Sequence, residues 1–123
     1  MARPPLPWLI VAAALALGAT SASGAGADEL VMVETEGCPW CAKWHREVGP
    51  LYAKTEEGRR LPLRRARLQS LPADLRHLAD LRHAPTFVVL HCGAEAGRIT
   101  GYGGDELFWG QLDAILARLP AAC

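Results

Sequence analysis

Apolar runs along the chain predict four β-strands. The apolar run at residues 30–33 predicts a buried strand over residues 30–34, and residues 61–68 alternate apolar and basic side chains, as a strand with one solvated face does. Residues 85–90 are rich in β-branched and aromatic side chains and begin with a proline. We expect this third strand to form a hairpin, with its turn at residues 92–97 and its partner strand at residues 98–102.

Helical periodicity and helix-breaking residues predict the remaining elements. A first helix begins at Pro39, because proline suits the first turn, bends at Gly49-Pro50 and ends near Gly58. Residues 71–81 form a short helix or a turn-rich connector, and residues 106–119 form a last helix with one apolar face. The order strand, helix, strand, helix, hairpin, helix predicts a small α/β domain.

The beginning of the chain has the composition of a targeting segment. A basic residue precedes an uncharged apolar run at residues 8–18, and Ala25-Gly26-Ala27 supplies an A-x-A cleavage site. We therefore predict a secretory signal peptide at residues 1–27 and a single domain at residues 28–123. Cleavage after Ala22 and an uncleaved membrane anchor are the alternatives, although the apolar run is short for a bilayer span.

Composition and charge limit the partners. The chain has 123 residues, half of them hydrophobic, and a formal net charge of zero, which predicts one small domain that binds no nucleic acid. We expect a monomer, although the sequence carries no signal for the oligomeric state. Five arginines cluster in the middle of the chain, but two glutamates stand beside them, so we expect a solvated surface of mixed charge. The arginines are Arg59, Arg60, Arg64, Arg65 and Arg67.

Cys38-Pro39-Trp40-Cys41 carries the chemistry of the chain. Two thiols at this spacing, at the start of a helix that follows a strand, form a disulfide-exchange site. The helix dipole favours a thiolate at Cys38, which we expect to be the nucleophile. Cys41 lies one turn further and resolves the mixed disulfide, while Trp40 faces the partner beside the thiols.

Other interpretations of the motif are weaker. A haem attachment site needs histidine after the second cysteine, and position 42 is Ala. A zinc or copper site needs further ligands, and only His45 is close in the sequence. A purely structural disulfide would close too short a loop to stabilise the fold.

Two further cysteines, Cys92 and Cys123, are remote from the motif. Export to an oxidising compartment favours a disulfide between them that would staple the last helix to the hairpin, whereas a free thiol at Cys123 is the alternative. His77, His83 and His91 show no ligand spacing to one another, so we predict no metal site.

The order of elements, the position of the cysteine pair and a second motif, Ala84-Pro85-Thr86, together resemble the minimal thioredoxin or glutaredoxin fold. The resemblance covers nearly all of residues 28–123 and implies a four-stranded mixed sheet flanked by helices. It also implies a cis bond at Pro85 and a backbone contact from Ala84 to a substrate strand. The alternative is that Pro85 begins an edge strand in trans.

Shorter motifs point to one group of proteins within this fold. The chain is similar to the periplasmic thioredoxin-like proteins encoded with bacterial sulfur-oxidation (Sox) systems at residues 38–45, 52–58, 62–65, 85–88, 97–102 and 108–109. This implies a periplasmic thiol-disulfide oxidoreductase without a cofactor beyond its own disulfide. Its partner would be the sulfur-carrier protein of thiosulfate oxidation, and a membrane thiol reductant or a small thiol would supply its electrons.

Departures from the family leave the direction of electron flow open. Thioredoxins carry a buried acid at the position of Met32, so Cys41 must lose its proton to water or to the nearby Glu34 or Glu36. Gly103 and Gly104, at a helix start, resemble the glutaredoxin segment that holds glutathione, and an ordinary glycine turn capped by Asp105 is the alternative. The leading function is an exported reductase that acts on a partner protein. The alternatives are a glutathione-linked reductase, a disulfide oxidant or isomerase, and a metal carrier using Cys38, Cys41 and His45.

Overall fold

The computed structural model describes residues 2–5 and 28–123, so most of the predicted signal peptide lies outside the described residues. Within these ranges no helix is long and apolar enough to cross a membrane. The elements are β1 (Glu29–Glu34), α1 (Pro39–Glu47), α2 (Gly49–Tyr52), α3 (Glu56–Arg60), β2 (Leu63–Arg67), β3 (Thr86–His91), β4 (Ala94–Thr100) and α4 (Asp105–Leu116).

The strands form one mixed sheet of four strands in the order β2-β1-β3-β4. β1 pairs in parallel with β2 and antiparallel with β3, and β3 pairs antiparallel with β4. The predicted α/β class and four-stranded mixed sheet are therefore confirmed. β1 and β3 are central, so they must be apolar on both faces, as their sequences are.

Successive side chains of β1 enter two separate core clusters, one on each face of the sheet. Leu30 and Met32 pack with the helices α1, α2 and α4, whereas Val31 and Val33 pack beneath the segment that links β2 to β3. All four side chains are fully buried. The next residue on the helix-covered face is Glu34, which ends the strand.

Trp44 holds α1 against the sheet. Its side chain is fully buried, and its ring centroid lies 5.4 Å from that of Phe87 on β3 and 5.6 Å from that of Phe108 on α4. Tyr52 of α2 completes this aromatic group at 5.9 Å from Trp44 and donates a hydrogen bond of 2.6 Å to the carbonyl of Leu61. The helix that carries the cysteine motif is thus fixed by rigid rings.

The predicted bend at Gly49-Pro50 is a break, and the expectation that Gly58 ends a helix is wrong. α1 ends at Glu47, a separate turn, α2, begins at Gly49, and Gly58 lies inside α3. Thr55 caps α3 by accepting a 3.0 Å hydrogen bond from the Gly58 amide. A Cβ at Gly58 would collide with the carbonyl of Tyr52, so close backbone approach explains the glycine.

Residues 71–81 form the turn-rich connector and not the short helix: they contain a single turn of 3₁₀-helix at Ala73–Leu75 and are otherwise irregular. The hairpin differs from its prediction. The hairpin turn is only Cys92-Gly93, with φ of +53° and +80°, and β4 begins at Ala94. A turn with two positive φ values matches the twist of the flanking strands, so the small residues that follow it pair with β3 directly after the turn.

Alanine at Gly58 should destabilise the protein by about 2 kcal/mol, because the new methyl group forces α3 away from the Tyr52 carbonyl. The matched control is Gly110→Ala in α4, where the new Cβ meets no atom within 4 Å. This control should stabilise the protein by about 0.5–1 kcal/mol, since alanine is the better helix former. Urea unfolding of both oxidised variants measures the two changes. Equal stabilities would contradict the explanation that Gly58 is required by the close approach of the Tyr52 carbonyl.

Candidate active site

Cys38 and Cys41 form a disulfide at the start of α1. Cys38 is the N-cap, with extended backbone at φ −90° and ψ 102°, and Pro39 takes a position in the first turn, where no amide donor is required. The Cys41 amide donates a hydrogen bond of 3.1 Å to Cys38 Sγ. This amide and the helix dipole both favour negative charge on the Cys38 sulfur.

The two sulfurs differ in exposure. Cys38 is half-buried at the protein surface, whereas Cys41 is 4% exposed and packs in the helix-side core. Trp40, between them, is 54% exposed, and the Lys43 ammonium lies 5.5 Å from its ring centroid. A large aromatic side chain therefore stands uncovered next to the accessible sulfur.

The sheet brings Ala84 and Pro85 to the same end of the domain as the cysteines. Val33, at the end of β1, pairs with Thr86, the first residue of β3, so the residues before β3 lie beside the segment that enters α1. The Ala84-Pro85 peptide bond is cis, and the Pro85 carbonyl accepts a 2.7 Å hydrogen bond from the Gly101 amide. Ala84 packs against the core cluster that contains Cys41.

Gly103 and Gly104 lie at the start of α4. Gly104 is the N-cap with φ of +106°, a conformation that favours glycine, and a Cβ at Gly103 would meet the side chain of Leu107 at 2.8 Å. Asp105 Oδ1 accepts a 2.9 Å hydrogen bond from the Glu106 amide. Backbone conformation accounts for Gly104 and the close approach of Leu107 accounts for Gly103, and neither glycine lines the cleft beside the disulfide.

A buried carboxylate stands at the end of β1. Glu34 is 9% exposed and accepts hydrogen bonds of 2.6 Å from His45 Nε2, on α1, and of 2.6 Å from Arg65 Nε, on β2. Burial acts to raise the pKa of Glu34, but the hydrogen bonds and charges of Arg65 and His45 outweigh burial and hold that pKa below its ordinary value of 4.5. Glu34 is therefore ionised at neutral pH.

The carboxylate and the disulfide share one cleft. This cleft, of about 520 Å³, is lined by both cysteines of the motif together with Glu34, His45 and Arg65, among other residues. Cys41, although nearly buried, thus borders the same cleft as Cys38 and the triad Glu34–His45–Arg65. Glu36, in contrast, pairs with Arg67 on the exposed surface.

Arg65 is the site residue that the sequence analysis missed. The arginine cluster was predicted to be a solvated surface, and the Arg65 side chain is indeed 63% exposed, yet its guanidinium binds Glu34. The parallel pairing of β1 with β2 sets Arg65 beside Met32, two residues before Glu34. Charge alternation in β2 indicated which arginines share a face, but the register of the two strands decides which one meets Glu34.

The second cysteine pair lies far from the cleft. Cys92 and Cys123 form a disulfide at the turn between β3 and β4, the end of the sheet opposite to Pro85. The six residues of β3 separate the two ends by about 17–20 Å. This disulfide ties the hairpin to the segment that follows α4.

Solved structures similar to this chain are thioredoxins. The periplasmic thioredoxin SoxS from Paracoccus pantotrophus, in its reduced form, is 38% identical with a TM-score of 0.69, over 73% of this chain and 96% of that protein. Trxlp from Edwardsiella tarda is 26% identical with a TM-score of 0.57, over 73% and 82%. The Malassezia sympodialis thioredoxin Mala s 13, at 18% identity and a TM-score of 0.55, over 76% of each chain, supports the fold alone. No family model matches the sequence, and no curated protein is significantly similar to it.

Replacing Glu34 with glutamine should flatten the pH dependence of stability. Because the folded protein lowers the pKa of Glu34, the carboxylate stabilises the fold above the unfolded value of about 4.5 and loses this effect as pH falls through the folded pKa. We expect Glu34→Gln to cost about 1 kcal/mol at pH 7, with the difference from wild type shrinking below pH 4. Urea unfolding between pH 3 and pH 7 measures this.

The control for this measurement is Glu36→Gln. The Glu36 side chain is 86% exposed, so its ion pair with Arg67 should contribute little and the variant should follow the wild-type curve. A wild-type pH slope in Glu34→Gln would show that the triad does not stabilise the fold.

Proposed function

The chain belongs to the thioredoxin-like superfamily and is a thiol-disulfide oxidoreductase, and from this we propose that it is an exported reductant that restores thiols on a partner protein. The observation that carries the proposal is the half-buried Cys38 paired with the buried Cys41 at the start of α1, next to the cis-Pro85 loop. Export rests on the predicted signal peptide at residues 1–27. The similarity to a periplasmic thioredoxin supports it.

The proposed reaction moves two electrons to the partner in two exchanges. The Cys38 thiolate attacks one sulfur of the partner disulfide, forms a mixed disulfide and releases the other partner sulfur as a thiolate. Cys41 loses its proton into the cleft and attacks Cys38 Sγ, which releases the second partner sulfur. The partner is then a dithiol, and the chain holds the Cys38–Cys41 disulfide. The accessibility of Cys38 and the burial of Cys41 support this order of attack.

We propose that the partner docks across Trp40 and the Ala84-Pro85 loop. Trp40 offers an exposed aromatic surface beside Cys38, and aromatic side chains are frequent anchors in protein interfaces. In thioredoxin-like proteins the residue before the cis-proline offers its backbone to an extended substrate strand, which assigns that contact to Ala84. Recognition would then combine main-chain hydrogen bonds with one aromatic anchor.

The proposed partner is the sulfur-carrier protein of thiosulfate oxidation. The support is the resemblance to Sox-encoded thioredoxins, together with 38% identity to the periplasmic thioredoxin SoxS over 96% of its length. A membrane thiol reductant or a small thiol would re-reduce the chain, which would act as a monomer. Glutathione, bound at Gly103 and Gly104, is the alternative donor, and an oxidant or isomerase is the alternative activity.

A trapping experiment tests the partner. In Cys41→Ser the mixed disulfide on Cys38 cannot be resolved, so a partner with a reducible disulfide stays covalently attached. We expect this variant to capture the sulfur-carrier protein, and Cys38→Ser, the matched control, to capture nothing. Non-reducing electrophoresis with mass spectrometry identifies the adducts, and adducts without the carrier would overturn the assignment to sulfur oxidation.

The reduction potential of the Cys38–Cys41 pair tests the direction of electron flow. A reductant should have a potential near that of thioredoxin, about −270 mV, whereas a strong oxidant lies near about −120 mV. Equilibration with defined thiol-disulfide buffers gives the value, and a potential near the oxidant end would refute the proposed direction. Rapid reduction of the pair by glutathione would support the alternative donor.

The triad Glu34–His45–Arg65 should moderate the reactivity of Cys38. At neutral pH the charges of Glu34 and Arg65 cancel, and Glu34→Gln leaves the arginine unbalanced beside the sulfurs. A positive charge favours the thiolate, so alkylation of reduced Cys38 by iodoacetamide at pH 6.5 should accelerate about 2–5-fold, and its pH profile should move to lower pH.

Glu36→Gln is again the matched control, since Glu36 lies outside the cleft beside the disulfide and should leave the profile nearly unchanged. Counting only the modification of Cys38, by peptide mapping, separates this sulfur from the others. A slower reaction in Glu34→Gln would contradict the electrostatic role.

A further inference from the structure

The disulfide between Cys92 and Cys123 has two polar neighbours, Asp28 and His91, that are not needed to link the hairpin to the segment after α4. Among the residues that the structure describes, one group of histidine, cysteine and acidic side chains has ligand atoms that all lie within 4.8 Å of one another, and it consists of Asp28, His91, Cys92 and Cys123. Asp28 Oδ1 lies 2.8 Å from His91 Nδ1 and accepts a 3.4 Å hydrogen bond from the Cys92 amide. A disulfide alone needs neither an imidazole nor a carboxylate beside it.

Three features of the backbone bring these four residues together. Asp28 immediately precedes β1, and Glu29 pairs with Leu90, so Asp28 lies beside the end of β3. His91 ends β3, and Cys92 follows in the tight turn at φ +53°, a position where asparagine, aspartate and glycine are usual. Cys123 reaches the same point through its bond to Cys92.

The group has the composition and size of a tetrahedral site for a thiophilic cation. Zinc bonds of about 2.3 Å to sulfur and about 2.0 Å to nitrogen or oxygen give ligand separations of roughly 3.3–3.8 Å in a tetrahedron. The carboxylate and imidazole atoms, 2.8 Å apart, are already close to that spacing. Two changes let two thiolates, one imidazole and one carboxylate surround a single ion: the sulfur–sulfur bond opens, and the hydrogen bond between His91 Nδ1 and Asp28 Oδ1 breaks as the neutral imidazole takes its proton on Nε2.

We propose that Asp28, His91, Cys92 and Cys123 form a redox-gated binding site for a zinc-like divalent cation. The oxidised protein excludes the ion because both sulfurs are bonded to each other. A dithiol reductant supplies two electrons to the disulfide and becomes a disulfide itself. The two protein thiolates bind the cation, and the two protons of the reductant are released, so that charge and atoms balance.

The site is independent of the disulfide-exchange centre. It lies at the other end of β3, about 17–20 Å from Pro85, and it uses no residue of the cleft. An ion bound there would join the start of β1, the hairpin turn and the segment after α4, the same three segments that the disulfide and the Asp28–His91 pair now connect. The bound ion would therefore replace the disulfide as the link between these segments when Cys92 and Cys123 are reduced.

Cobalt titration tests the proposal in the full chain carrying Cys38→Ser and Cys41→Ser, in which Cys92 and Cys123 are the only cysteines left. After reduction with dithiothreitol and its removal under anoxic conditions, we expect one Co²⁺ per chain, with sulfur-to-cobalt charge transfer and the visible bands of tetrahedral Co²⁺. Zn²⁺ should displace it. The oxidised protein should show neither band.

Single ligand variants in the same background decide which residues bind. His91→Ala and Asp28→Asn should each weaken Co²⁺ binding by at least about tenfold, because loss of a direct ligand costs no less than loss of its supporting partners. His77→Ala, an exposed histidine outside the group, is the matched control and should bind like the parent. Circular dichroism checks that each variant is folded.

Two results would overturn the proposal. One is reduced protein without the charge-transfer and tetrahedral bands, and the other is unchanged binding in both His91→Ala and Asp28→Asn. The second result would mean that the two thiolates alone attract the ion. Because Asp28→Asn keeps the size of the side chain, it provides the comparison even where the alanine variant is poorly folded.

Discussion

The antiparallel pairing of β1 with β3 is the constraint on which the active site depends. Pairing of Val33 with Thr86 brings the end of one central strand next to the beginning of the other. The chain leaves β1 directly into the cysteine motif and enters β3 directly from the cis-Pro85 loop. The strand pairing therefore brings together two segments that are more than forty residues apart in the sequence. Burial of both strands on both faces holds this register, since a slip by one residue would exchange the two core clusters.

The position of the acid distinguishes this chain from the thioredoxins that it resembles. Met32 occupies the strand position where they carry a buried carboxylate, and it packs in the helix-side core with Cys41. Glu34 lies two residues further on the same face, about 7 Å along the strand, where His45 and Arg65 can reach it. The carboxylate is thus moved from the core to the rim of the cleft. Its charge is compensated there by hydrogen bonds from His45 and Arg65.

Sequence reasoning predicted the elements and the cysteine site well because both depend on local patterns. The apolar run of β1 and the spacing of Cys38 and Cys41 are readable without knowledge of the register. The hairpin turn was predicted too long, at residues 92–97, because a cysteine seldom takes a positive φ, and the small residues after it resemble a loop. The pairing of Glu34 with Arg65 depends on how two strands align, and the grouping of Asp28 with His91 depends on which ends of the sheet coincide. Neither relation leaves a periodic signal in the chain.

The rim position of Glu34 also divides two tasks between neighbouring positions of one strand. The fully buried Met32 packs in the core, and the residues around the cleft carry the charges. Substitutions at position 45 or 65 can therefore change the charge beside the sulfurs without replacing a side chain of the core.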